Sequence, residues 1–412
     1  MNVLKFRFLV IFWIILFVCA CATTPKKLVT PAKPAEKAKP GLCLVPPDQI
    51  PQLTDDLDQA SLETAINRSL QYFNQISDKR VFRFGNENYT VQEMRESLIS
   101  LLMILKIPVP SEIKNKMIQE RFDFYKSSGR NESGKKVLFT GYFEPVLEGS
   151  LVPDEHYKYP VYRTPEDMIS IDLGKFKSKF KGERIAGRYT EGRVIPYYNR
   201  KNIVSENCLS GRGLEIAWLA DPVDAFFLHI QGSGVVMLPD GKALLIGYAD
   251  GNGRPYRSIG RYLLDSGKIT ERDLSHRNIK KYLREHPEEM ESILNQNESY
   301  IFFRIVKEGP IGSLGLVLTA GRSIATDPEF FPRGGLAFIR LRKPVFDSYG
   351  EIQSWVDFSR FVLNHDTGGV IKGPGRVDIF CGRGIEAEQI AGSFKENGDL
   401  YFLVIKKTPA EK

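Results

Sequence analysis

From Val137 to the C-terminus, short runs rich in β-branched and aromatic residues alternate with turns of Gly, Pro, Asn and Asp; VLFTGYF, YPVYR, AFFLHI, ALLIGY, YIFFRIV, LAFIRL, FVLNHD, RVDIF and DLYFLVIK are the clearest. Strands this short build a core only by closing on themselves or by packing sheet on sheet, so the pattern predicts a barrel-like β body. Helical stretches near Arg257 to Leu264 and from Ser275 to Asn295 interrupt it. Before Val137 the period changes. Leu57, Ala60, Leu62, Ala65, Ile66, Leu70 and Phe73 recur at near-helical spacing and predict a helix over Asp55 to Ile76. Thr90, with Glu93 three residues on, predicts a capped second helix through about Leu105, whose apolar face is Met94, Leu98, Leu101, Leu102 and Leu105. The fold class is therefore α+β, mainly β, with helices before and within the β structure.

The N-terminus is a targeting segment. Lys5 and Arg7 precede an apolar run, Phe8 to Ala20, which is too short to span a bilayer before polar Thr23, Thr24 and Lys26 arrive. The run ends Val18-Cys19-Ala20-Cys21, which resembles a bacterial lipoprotein signal. The resemblance implies removal of residues 1–20 and lipid on Cys21; Ala22, rather than Asp, in the next position implies the outer membrane. An ordinary signal peptide with two incidental cysteines is the other reading. Residues 21–47 repeat Pro, Ala and Lys without apolar periodicity and predict an extended tether. About 25 such residues at ~3 Å each reach several nanometres.

Composition excludes several classes. Fifty-seven Lys and Arg against 50 Asp and Glu leave a charge of only +7, spread among acids over 412 residues, so nucleic acid is not an expected partner. No CxxC occurs, and His156, His229, His276, His286 and His365 never sit three or four residues apart, so neither metal nor cofactor is expected. Cys43, Cys208 and Cys381 allow at most one disulfide in the mature chain. The Gly-rich segments QGSG (231–234), DGNGR (250–254), GGVIKGPG (368–375) and GRG (382–384) lack the phosphate-binding and dinucleotide signatures, and Gly232-Ser233-Gly234 fails the nucleophile-elbow pattern.

Carboxylates carry the remaining chemistry. Asp366 closes FVLNHD, and Asp378 sits inside RVDIF between Val377 and Ile379. On a strand, Asp378 faces away from both apolar neighbours, toward solvent or a cleft. In a cleft, desolvation and a nearby Asp366 would raise its proton affinity toward that of a general acid. The same spacing also fits two strand-edge aspartates bonded to backbone amides.

FTGYFEPVLEGS (139–150), YRTP (162–165), PYYNR (196–200), FFLHIQGSG (226–234), GYADGNGRPYRSIG (247–260), GRSIATDPEFFPRG (321–334) and DTGGVIKGPGRVDIFCGRGIEAEQIAG (366–392) together resemble the membrane-bound lytic murein transglycosylase A family, with its C-terminal 3D domain. The three aspartates of that domain are here Asp327, Asp366 and Asp378. The resemblance implies a double-psi β-barrel interrupted by a second barrel-like domain, with a groove between them. The expected segments are 48–144 for the N-terminal helices and first barrel portion, 145–297 for the insert, and 298–407 for the rest of the barrel. It implies a carbon–oxygen lyase, a peptidoglycan exotransglycosylase that cleaves the β-1,4 bond between N-acetylmuramic acid and N-acetylglucosamine and leaves a 1,6-anhydro ring.

By motif, Asp378 matches the family's catalytic acid, with Asp366 perturbing and orienting it and Asp327 a structural turn acid. Thr140, Tyr142, Gln231, Ser233, Tyr248 and Asn252 are candidate sugar-binding groups, and Lys372 is a candidate for sugar or peptide carboxylates, each with an alternative as a packing, turn or solvated residue. Arg376 and Val377, just before the acid, depart from the family pattern. The implied partners are glycan strands, the outer membrane through Cys21, and cell-wall synthesis enzymes. Two other readings share these motifs: a non-catalytic peptidoglycan-binding envelope lipoprotein, and a hydrolase on the same fold.

Overall fold

Two β-barrels, one threaded into the other, account for most of the chain. The computed structural model describes residues 41–130, 136–271 and 274–407. The expected signal segment, Cys21 and the expected tether up to residue 40 lie outside the described residues. All described residues fall within one compact unit, Pro40–Lys412, which contains every described apolar cluster and so carries its own core.

Residues 42–44 of the expected tether are instead β1 (Leu42–Leu44), a strand whose Leu42 is buried. The first helix, α1 (Gln59–Gln75), starts later than the apolar period suggests: Asp58 caps it by accepting from Ser61 N, and Asp55 and Asp56 are taken up by ion pairs. The hairpin of β2 (Val81–Phe84) and β3 (Glu87–Thr90) leads into α2 (Val91–Lys106), where the Thr90–Glu93 capping box is formed in full. Then follow α3 (Ser111–Arg121), β4 (Phe122–Ser127) and β5 (Val137–Glu144).

After β5 the chain leaves the first barrel and builds the insert. Its elements are β6 (Val146–Ser150), β7 (Tyr159–Tyr162), β8 (Ile169–Asp172), β9 (Arg184–Thr190), β10 (Arg193–Pro196), α4 (Arg200–Val204), β11 (Glu215–Leu219), α5 (Pro222–Gln231), β12 (Ser233–Met237), β13 (Ala243–Gly251), α6 (Ile259–Asp265), α7 (His276–Glu285), α8 (Pro287–Leu294) and β14 (Ile301–Ile305). Six of the strands form a sheet in the order β14-β13-β12-β6-β11-β7, and a bridge between Arg163 and Phe303 joins its two edges. The AFFLHI run is helix, not strand. Its residues lie in α5, where Asp221 caps, Pro222 fills the first turn and Gly232 ends the helix with positive φ. A run apolar except for His229 has no period to separate the two states, and the flanking caps decide it. The Ser275–Asn295 helix is broken at Pro287 into α7 and α8. The expected boundary at 297 falls short, because β14 pairs with β13 and completes the insert sheet.

The chain then returns through β15 (Ser323–Ala325), β16 (Leu336–Phe346), β17 (Ile352–Asp366), β18 (Arg376–Arg383), α9 (Gly384–Ser393) and β19 (Lys395–Ile405). Here β19 pairs with β16 along one edge and with both β5 and β4 along the other. The cycle β5-β18-β15-β17-β16-β19-β5 therefore closes into a six-stranded barrel, with parallel pairs at β5/β18 and β15/β17. Phe139, Ile324, Phe338, Leu363, Val377 and Leu403 belong to its fully buried core, and α1 and α2 cover the outside. The helix α9 lies so close to β5 that a Cβ on Gly141 would stand 2.6 Å from the Ala391 backbone.

Candidate active site

One row of register across the barrel assembles the acidic site. Asp378 on β18 lies opposite Thr140 on β5 and opposite Ala325 on β15. Ala325 in turn pairs with Asp366 at the end of β17. Aligned residues of neighbouring strands share a face, so Thr140, Asp378, Ala325 and Asp366 face the same way. Val377 and Ile379, 0% and 2% exposed, point into the core instead. The two acids stand two strands apart, about 10 Å between backbones, and the methyl of Ala325 leaves the space between them open.

That face is the floor of a cleft of about 890 Å³ between barrel and insert. The barrel supplies Tyr142, Ala325, Asp366 and Asp378, together with the loops 310–313 and 367–371. The insert supplies Gln231, Ser233 and Tyr248 from among the sequence candidates. Gln231 also ties the two halves together, since its Oε1 accepts from Phe143 N at 3.2 Å.

Burial pushes the Asp378 carboxyl up to about 6, with the Arg376 guanidinium acting against the rise and the Asp366 charge adding to it. Arg376 Nε lies 3.7 Å from Asp378 Oδ1, and Arg376 Nη2 donates at 3.2 Å to Thr140 Oγ1, which itself donates to Asp378 Oδ1. A cation thus reaches the acid both directly and through one hydroxyl.

Asp366 is also raised by burial, against hydrogen bonds from Ser313, Thr367 and Tyr142. Its Oδ1 accepts from Ser313 N at 2.8 Å and Thr367 N at 2.9 Å, and its Oδ2 accepts from Tyr142 OH at 2.9 Å. No hydrogen bond joins it to Asp378, so it acts on that group through charge rather than by orienting it. Both of its oxygens are engaged, whereas Asp378 has one that accepts no protein hydrogen bond.

Other candidates lie elsewhere. Thr140 is not part of the cleft lining and acts through Asp378. Asn252 is 1% exposed and structural: its amide donates to Tyr198 O and Glu298 O while its oxygen accepts from Arg254 N and Tyr300 N. Lys372 is exposed and outside the cleft lining. Asp327, 2% exposed, accepts from Glu329 N and Gly373 N and so pins the Gly-rich loop to its own turn. Cys43, Cys208 and Cys381 are all free thiols.

Sequence reasoning missed Arg200, His229, Tyr256 and Arg304 in the cleft wall. Arg200 is buried, lowered to about 10 by that burial, and held by Asn297 O and Ser299 O over the Phe226 ring. Burial, with Arg200 nearby, holds His229 well below its ordinary value, and its ring packs 4.0 Å from that of Tyr300. Both sit in quoted motifs, PYYNR and FFLHI, but only the insert's folding turns them toward the cleft.

An acid with raised proton affinity on the floor of a groove lined by neutral polar groups and tyrosines is the layout of a carbohydrate-cleaving enzyme. Residues 138–304 match the MltA specific insert domain and residues 322–404 the 3D domain. The membrane-bound lytic murein transglycosylase A of Escherichia coli K12 is 30% identical over 296 residues, 71% of this chain and 72% of the relative. A crystal structure of a membrane-bound lytic murein transglycosylase from Agrobacterium tumefaciens superposes with TM-score 0.69 at 32% identity, covering 84% of this chain and 93% of that one. E. coli MltA with bound chitohexaose superposes with TM-score 0.69 at 23% identity, covering 90% and 96%. The chain belongs to the membrane-bound lytic murein transglycosylase A family.

Proposed function

We propose that this protein cleaves the β-1,4 bond between N-acetylmuramic acid and N-acetylglucosamine in peptidoglycan, leaving 1,6-anhydromuramic acid. Asp378 in its protonated form donates to the leaving glycosidic oxygen as the C1–O4 bond breaks. The muramyl C6 hydroxyl closes on C1, and its proton passes to the Asp378 carboxylate, so no water is consumed and the acid is regenerated. An attack from within the same sugar has the advantage of proximity.

The observation that carries this reading is the inequality of the two acids. An ordinary glycosidase needs a second carboxylate free to activate water or attack carbon. Asp366 has both oxygens occupied by Ser313 N, Thr367 N and Tyr142 OH, which leaves Asp378 as the one proton carrier of the pair. Gln231, Ser233 and Tyr248 from the insert would hold the strand against it. Digestion of purified peptidoglycan by the Pro40–Lys412 unit tests the reaction type, because anhydro and hydrated muropeptides differ by one water, ~18 Da. Anhydro products are expected. Reducing muramic acid ends would mean hydrolysis, and strand binding without release would mean a wall-binding protein.

A pH profile tests the assignment of the donor. The protonated form of Asp378 is lost as pH rises through about 6, so activity is expected to fall along that limb. Asp366→Asn removes a negative neighbour and is expected to move the limb to lower pH, whereas Arg376→Gln removes a cation and moves it higher. A limb that stays in place in both variants would assign the donor elsewhere.

We further propose that the protein is an outer-membrane lipoprotein facing the periplasm, anchored through Cys21 and working beside cell-wall synthesis enzymes. The Val18-Cys19-Ala20-Cys21 run supports it. Mass measurement of the mature N-terminus is expected to find a diacylated Cys21, and an unmodified cysteine would refute the anchor.

A further inference from the structure

Away from the cleft, β8, β9 and β10 form a separate three-stranded antiparallel sheet in the order β10-β9-β8. Glu191 and Gly192, both at positive φ, close the β9–β10 hairpin. Register sets Ile169 and Ile171 opposite Gly187 and Ile185, and Val194 opposite Tyr189. Ile169, Ile171, Ile185, Tyr189 and Val194 therefore share one face of the sheet. The other face is the attached one: Ala186 packs against Gly253, and Arg188 lies 4.3 Å from the Tyr198 ring. On the free face Tyr189 is 68% exposed, Val194 46%, Ile185 45% and Ile169 37%. Scattered apolar exposure is ordinary, but a contiguous β-branched and aromatic face is not.

The β8–β9 connection beside it reads Lys175-Phe-Lys-Ser-Lys-Phe-Lys181. All four lysines are exposed, none has an ion-pair partner among the described residues, and Phe176 is 75% exposed. Lys179 lies over the Phe180 ring. Apolar and aromatic groups that enter the acyl boundary, flanked by lysines that meet lipid phosphates, are what an anionic bilayer surface selects.

We propose that the outer face of β8–β10, together with the Lys175–Lys181 loop, is a docking surface for an anionic phospholipid leaflet. None of its residues lines the cleft, so contact at this face covers no residue of the cleft lining. Charge complementarity chooses lipid over a second copy of this chain, because two copies would bring the unpaired lysines together.

The test is co-sedimentation of the Pro40–Lys412 unit, which lacks the anchor, with phosphatidylglycerol/phosphatidylethanolamine vesicles and with phosphatidylcholine vesicles. Binding to the anionic vesicles alone is expected. It should weaken at least about tenfold in Lys175→Glu/Lys179→Glu and in Phe176→Ser/Tyr189→Ser, with circular dichroism and release of anhydro-muropeptides from soluble glycan unchanged. Equal binding to both vesicles, no binding, or binding indifferent to these variants would each overturn the proposal. So would a dimer in sedimentation that Tyr189→Ser dissolves, which would give the face to a second copy. Failure of the transglycosylase reading leaves this assay untouched, since it reads partition rather than turnover.

Discussion

Asp378→Asn is expected to lower the release of anhydro-muropeptides roughly a thousandfold, within the range general acid catalysis contributes. The substitution keeps the shape and still offers an oxygen to Thr140, so the barrel row and the cleft should persist. Only the proton is lost. The fall should therefore lie in kcat, with affinity for the glycan strand little changed. Muropeptide mass analysis beside a pull-down on insoluble wall separates the two quantities. A variant retaining more than about a tenth of wild-type turnover would mean another group carries the proton.

The largest expected effect on stability lies away from the site. Arg322, 0% exposed, joins the segment before α1 to the barrel: it donates to Asp55 Oδ2 at 2.6 Å, Ser61 Oγ at 3.0 Å, Phe361 O at 2.8 Å and Asp58 O at 2.8 Å. Removing one partner of a buried pair strands the others away from water, so Arg322→Ala is expected to cost about 3–5 kcal/mol. The urea midpoint measures it. Replacing both partners, as in Arg322→Met with Asp55→Asn, should recover part of the loss, since no charge is then left buried and unpaired. A loss below about 1 kcal/mol would show that the pair does not hold α1 to the barrel. Arg360 repeats the device one residue along, with its guanidinium forked onto both oxygens of Asp56 at 2.7 Å.

These two residues differ in how readily the sequence betrays them. Asp378 stands out because an acid between Val377 and Ile379 breaks the apolar logic of its own strand, and because its surrounding motif has relatives. Arg322 sits in GRSIATDPEF with no local sign of burial, and its partners Asp55, Asp58 and Ser61 lie more than 250 positions away. The α2 capping box was legible for a similar reason, since its partners are three residues apart. AFFLHI misled because it is apolar except for His229 and shows no helical period, so only the caps at Asp221 and Gly232 mark the helix. Asn252, in a polar Gly-rich motif, reads as a sugar ligand until the fold wraps Tyr198, Glu298 and Tyr300 around it.

By itself, then, the sequence determined the mainly β class, the leading helices, the absence of nucleotide and metal-binding motifs, and Asp366 and Asp378 as the candidate acids. Each rests on residues within one turn or one strand of each other. Tertiary structure alone decided that Asp378 and Asp366 flank Ala325, that Asp366 has no free oxygen, that Arg200 and His229 line the cleft, and which face of β8–β10 is left bare. All of these depend on strand register between distant segments, where a shift of one residue turns every side chain to the opposite face.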